Sequence, residues 1–171
     1  MKKIVPINTE VVLDEIEQLI SKAIAKKRYE NNRKKNIEDK KIGKQTNAAT
    51  DIEGFGAEMA FCKLFNVFPD FSVFVRSTKS DKGDAELHVI NGVVDVKSTK
   101  YLDGRLLTPD YKEKGVVDLY ALMIGEFPKY VFKGFMTSAE LMQDHRIGDM
   151  GYGKKSYIAA QSELKPTGIP I

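Results

Sequence analysis

The stretch from Gly83 to Lys100, GDAELHVINGVVDVKSTK, constrains the fold more than any other part of the chain. Asn91-Gly92 lies between two runs rich in β-formers, and that dipeptide favours the positive φ angles of a two-residue type I′ turn. With Asn91 and Gly92 as the turn, Ile90 faces Val93, His88 faces Asp95, Glu86 faces Lys97 and Asp84 faces Thr99. Side chains alternate across a strand, so the hairpin has two distinct faces. Ala85, Leu87, Val89, Val94 and Val96 make an apolar face suited to a core. Asp84, Glu86, His88, Asp95, Lys97 and Thr99 make the other.

On the residues alone the polar face has two readings. An amphipathic hairpin needs a solvated side, where a Glu86–Lys97 cross-strand pair would contribute roughly a few tenths of a kcal/mol. The same face also suits a divalent cation. Asp84 and Asp95 supply carboxylate oxygens, and Mg²⁺ prefers a few carboxylates together with waters and substrate phosphate. A lysine beside them, Lys97, can orient a water or stabilise charge on a phosphate.

A chain of 171 residues with 42% hydrophobic and 30% charged residues reads as one soluble domain with a sizeable core. Its single cysteine, Cys62, leaves no internal disulfide framework and fits a reducing compartment. Only His88 and His145 accompany it, too few for a structural zinc site. No apolar run reaches membrane-spanning length and no signal peptide is legible, so a cytoplasmic location is expected. Net charge is +3, unevenly spread: residues 1–50 carry a net +5 and the remainder a net −2. A basic front end on a near-neutral body points toward nucleic acid.

Taken in order, residues 9–30 read as an amphipathic helix with Thr9 as N-cap and Val12, Ile16, Leu19, Ile20 and Ile24 as its buried stripe. It runs into Lys26, Lys27, Arg28, Arg33, Lys34 and Lys35, with Lys40, Lys41 and Lys44 beyond, and residues 31–50 read as an arm. Such a run is a solvated face unless the neighbouring site handles phosphates, in which case it grips a nucleic-acid backbone. Residues 51–66 read as a second helix, with Gly56 near its start and Glu58 beside its apolar stripe. A carboxylate there needs a partner or a purpose. Strands are expected at 71–76, around 105–107, at 116–124, at 130–136 and around 156–160. Thr137 or Ser138 caps a short helix, and residues 148–153 read as a flexible loop.

A helical glutamate (Glu58 in GFGAEMAF), then Asp84 in GDAEL, then Asp95-Val96-Lys97 in VVDVKST, stand in the order of the PD-(D/E)XK nuclease superfamily, which the chain resembles. Ten residues separate the two aspartates. The later VDLYALMIGE and YVFKGFMTSAEL segments are similar to those of small phage and prokaryotic members. Gly83 stands where the motif has proline, and the Gln-x-x-x-Tyr motif of the helicase-linked exonuclease branch is missing.

The resemblance implies an α/β, restriction-endonuclease-like domain over residues 1–171: a mixed central sheet flanked by helices, with the site at one edge. It implies Mg²⁺ or Mn²⁺ held by Asp84, Asp95, Glu58 and the Val96 carbonyl, with Lys97 positioning the attacking water. Glu86 and His88 would take supporting places. Clustered carboxylates without a cation repel by about 1–4 kcal/mol per pair, a penalty a bound ion removes. The activity expected is a metal-dependent deoxyribonuclease, an endonuclease, with DNA as partner and a homodimer where both strands are cut. Two other readings are kept: a nucleic-acid-binding protein of the same fold without turnover, and an unrelated interaction domain whose acids are a solvated face.

Overall fold

Eight residues of alternating character, Gly92–Thr99, form the strand around which the sheet is ordered. The computed structural model describes residues 4–35, 46–74, 83–87, 92–149 and 153–166. In chain order the elements are β1 (Glu10–Val12), α1 (Glu15–Lys34), α2 (Asn47–Phe65), β2 (Ala85–Leu87), β3 (Gly92–Thr99) and β4 (Leu106–Pro109). β5 (Leu119–Glu126), β6 (Lys129–Thr137), α3 (Ser138–Leu141), β7 (Ile147–Asp149) and β8 (Lys155–Ala159) follow. Five strands form one mixed sheet in the order β1-β6-β5-β3-β2, in which only β3 and β5 run parallel. Strands β4, β8 and β7 form a second, antiparallel sheet.

The chain is therefore α/β, and the alternation along β5 shows how its layers are built. Leu119, Ala121 and Met123 join Val94, Val96, Phe61 and Cys62 in a core beneath the helices. Tyr120, Leu122 and Ile124 join Leu106, Met136, Leu141 and Tyr157 in a core beneath the smaller sheet. A strand apolar on both faces can be buried on both, which is what its continuous apolar run predicts. The helices cover one face of the central sheet. The other face, where flanking helices were expected, is closed mainly by β4, β8 and the single turn of α3.

Helix boundaries follow the strongest caps. Asp14 accepts from the Glu17 N–H at 2.9 Å while Glu17 accepts from the Asp14 N–H at 2.7 Å, a reciprocal capping box. That box, and not Thr9, starts α1. The β-branched residues before it pair instead with β6, Val11 opposite Tyr130. Of the expected buried stripe of α1, Ile24 packs against the core, while Ile16 and Leu19 are exposed and the fully buried positions are Ser21 and Ala25. Thr46 caps α2, which begins at Asn47, so Gly56 lies within the helix. A Cβ at Gly56 would strike the Tyr130 hydroxyl, which donates to the Glu53 carbonyl at 3.1 Å.

Three further expectations change. Among the described part of 71–76 no strand forms, because Arg28 and Asn31 take the carbonyls of Ser72 and Val73. The loop expected at 148–153 is strand through Asp149. The hairpin has a different register: Leu87 pairs with Gly92, Glu86 with Val93 and Ala85 with Val94. Gly92 is thus a strand residue, and Asn91, with 88–90, lies outside the described residues. Each pairing slips by four residues, an even number, so the two faces survive the change.

Phe61 is fully buried and meets Phe65, Phe132 and Phe135 at ring separations of 4.5, 6.5 and 5.9 Å. Truncation there removes a whole ring from an interlocked set. Phe61→Ala is expected to lower the unfolding free energy by about 3–5 kcal/mol in a denaturant titration.

Candidate metal and phosphate site

Asp84 and Asp95 meet where β2 joins β3. Asp84 stands one residue before β2, whose Ala85 pairs with Val94, the neighbour of Asp95. Gly83 makes this possible: its φ is +78°, and a Cβ there would lie 2.8 Å from the Val94 carbonyl oxygen. Proline, fixed near −65°, cannot adopt that conformation, which accounts for glycine where the motif has proline. From this turn the Asp84 N–H donates to the Val94 carbonyl at 2.8 Å, and the Val96 N–H donates to Asp84 Oδ2 at 2.8 Å. The carboxylate thereby occupies the sheet edge at Val96.

Asp95 projects from the opposite face to Val94 and Val96, toward the smaller sheet. It is 3% exposed, and Asp84 is 7% exposed, so neither belongs to a solvated face. Lys97 Nζ lies 2.6 Å from Asp95 Oδ1, an ion pair within one strand that replaces the expected Glu86–Lys97 pair. Burial opposes the charge on Lys97, but Asp95 and Asp84 outweigh it and hold the ammonium well above its ordinary range. Lys97 is a fixed cation and not a base. Asp95 Oδ2 is buried and accepts no hydrogen bond, while Lys112 Nζ stands 3.8 Å from it.

Lys112 belongs to the turn after β4 and reaches Asp95 from the second sheet. Its neighbour Tyr111 has its phenol pushed up by burial, against the pull of Lys112, Lys97 and Lys154. Two lysines, Lys97 and Lys112, thus stand against Asp95. Lys112 and Tyr111 are site residues that the chain order gave no means of finding. They sit in a charged turn like many others, seventeen and sixteen residues from Asp95.

Glu58 is placed differently. It lies on α2, over the helix-side face of β3, whereas Asp95 and Lys97 project from the other. Arg28 Nη1 donates to both its oxygens, at 3.0 and 3.3 Å. The same guanidinium donates to the carbonyls of Ser72 and Asp70 at 2.9 and 2.8 Å and stacks 4.6 Å from the Phe55 ring centroid. Arg28, expected to face nucleic acid, is turned inward. Among the described residues no three His, Cys, Asp or Glu side chains come together as a metal-binding group. Cys62 registers the layout between the faces: burial first, then the charges of Glu58, Asp84 and Asp70, push its thiol up to about 12.

The profile of a family of unknown function, DUF5843, matches residues 3–164. The chain belongs to that family. No curated protein and no solved structure matches it. In this DUF5843 chain, Lys26, Lys27, Lys34 and Lys35 are exposed along the second half of α1, with Lys27 3.7 Å from Glu30. Arg33 lies over the Tyr29 ring at 5.3 Å. Glu86 is exposed on β2, and His88, Lys40, Lys41 and Lys44 lie outside the described residues. Among the described residues no helix is long and apolar enough to cross a membrane.

Two outcomes test the geometry. Gly83→Ala is expected to destabilise the DUF5843 chain by about 1–3 kcal/mol in urea, since the new side chain meets both a left-handed φ and the Val94 carbonyl. Cys62, with its thiol held near 12 against 9.0 for a free one, should resist alkylation from pH 8 to 10 until denaturant is added. Raising the pH through that interval should also lower stability, because only the unfolded chain ionises the thiol.

Proposed function

We propose that the chain is a metal-dependent nuclease hydrolysing phosphodiester bonds in DNA, with a site of restriction-endonuclease-like type at the β2–β3 edge. The observation that carries this reading is the buried, unsatisfied Asp95 Oδ2 beside a second buried carboxylate. An oxygen of this kind costs stability unless something positive meets it. Lys112 at 3.8 Å is an ion-pair neighbour and gives it no hydrogen bond. Two carboxylates suit Mg²⁺ or Mn²⁺, which take a few carboxylates with waters and phosphate oxygens, and the Val96 carbonyl would add a further oxygen at the same edge.

The roles divide by layer. Asp84 and Asp95 would hold the ion, which when bound lowers the pKa of a water ligand and neutralises phosphate charge. Lys97, 2.6 Å from Asp95, would donate hydrogen bonds to the attacking water or to the phosphate. Lys112 brings a second cation to the same phosphate from the turn after β4. Glu58, paired with Arg28, stands on the helix side of β3, away from Asp95 and Lys97. The exposed Lys26, Lys27, Lys34 and Lys35, with Arg33 beside them, would lie along the DNA backbone.

The same Arg28–Glu58 pair supports the second reading, a nucleic-acid-binding protein of this fold without turnover, since it leaves two carboxylates where the motif has three. Plasmid and branched DNA incubated with Mg²⁺, Mn²⁺ or EDTA separates the two. The nuclease reading expects metal-dependent cleavage, reduced at least about a hundredfold by Asp95→Ala and by Lys97→Ala. Binding of DNA by wild type and variants alike, with no cleavage of either substrate, would establish the second reading.

A further inference from the structure

The first half of α1 presents an apolar seam to solvent. Ile16 and Leu19 are 64% and 63% exposed, and Ala23 is exposed beside them. Ile16, Leu19 and Ala23 are spaced three and four residues apart, the 3.5-residue period of a coiled-coil seam. At 100° per residue they point directly away from Ser21 and Ala25, which pack against α2. Surface residues of this size are ordinary singly, but a contiguous row marks an interface.

We propose that this seam is the two-fold interface of a homodimer, in which α1 packs antiparallel against α1 of a second copy. Charge pattern selects the occupant. Glu15, one residue before Ile16, and Lys22, three residues after Leu19, are both exposed and flank the seam on the same side. In an antiparallel pair, flanking residues on the same side of the two helices face each other. With Ile16 of one copy against Leu19 of the other, Glu15 meets Lys22, twice over by symmetry. A parallel pair would set Glu15 against Ile20 and leave both charges unmatched. The seam adjoins β1, at the opposite edge of the sheet from β2, so the dimer leaves Asp84 and Asp95 open. The inference is independent of the nuclease reading.

Sedimentation equilibrium of the full chain tests it. Wild type is expected to dimerise reversibly, and Leu19→Lys to be monomeric with an unchanged circular dichroism spectrum, since Leu19 is exposed in the protomer. Glu15→Lys and Lys22→Glu, each alone, should weaken the dimer at least about tenfold by placing like charges together. Mixing the Glu15→Lys chain with the Lys22→Glu chain should restore association as a heterodimer, because each then offers the charge the other lacks. A wild type that stays monomeric throughout, a Leu19→Lys chain that still dimerises, or a mixture that fails to associate would overturn the proposal.

Discussion

A carboxylate buried next to a central strand has to be compensated, and Asp95 draws its compensation from two layers. Lys97 comes from the same strand and Lys112 from a turn of the smaller sheet. The second sheet is therefore more than a cover for Tyr120, Leu122 and Ile124. It carries the cation that reaches Asp95 Oδ2, so docking of that sheet and electrostatic balance at β3 depend on each other. The oxygen left without a hydrogen bond is the residue of that balance, and it is where a metal ion would add most.

The two faces of β3 divide the chemistry. On the helix side, Glu58 and Arg28 form a part-buried pair that also ties down the backbone after α2 through the Ser72 and Asp70 carbonyls. On the other side, Asp95, Lys97 and Lys112 make a carboxylate with a cationic rim. Asp84, turned into the sheet edge by Gly83, belongs to both neighbourhoods: its charge acts on the Cys62 thiol beneath the helices and on Lys97 across the strand. An arginine on a carboxylate in this manner lowers the charge available to a cation, which is why the pair bears on the choice between cleavage and binding.

α1 shows how an apolar pattern can be read correctly as helical and assigned to the wrong partner. The period of Ile16, Leu19 and Ile20 is real, while Val12 belongs to β1. Yet α1 meets α2 through Ser21 and Ala25, small side chains that let two helices approach closely, with Arg28 reaching over to Glu58. Larger residues on that side would hold the helices apart and pull the guanidinium out of reach. The apolar row is left outward, available to another surface.

What the amino-acid order determined by itself is local. The period of two fixed which residues of the hairpin share a face, and a slip of four residues could not undo it. The apolar run of β5 and a helix cap at Thr137 or Ser138 were equally legible, because each depends on neighbours within a turn. Only the tertiary structure decided the hairpin's register, the side of the sheet on which Glu58 falls, the inward turn of Arg28 and the meeting of Lys112 with Asp95. These are contacts between residues far apart in the chain, set by which surfaces pack most closely, and a one-dimensional pattern holds no distance of that kind.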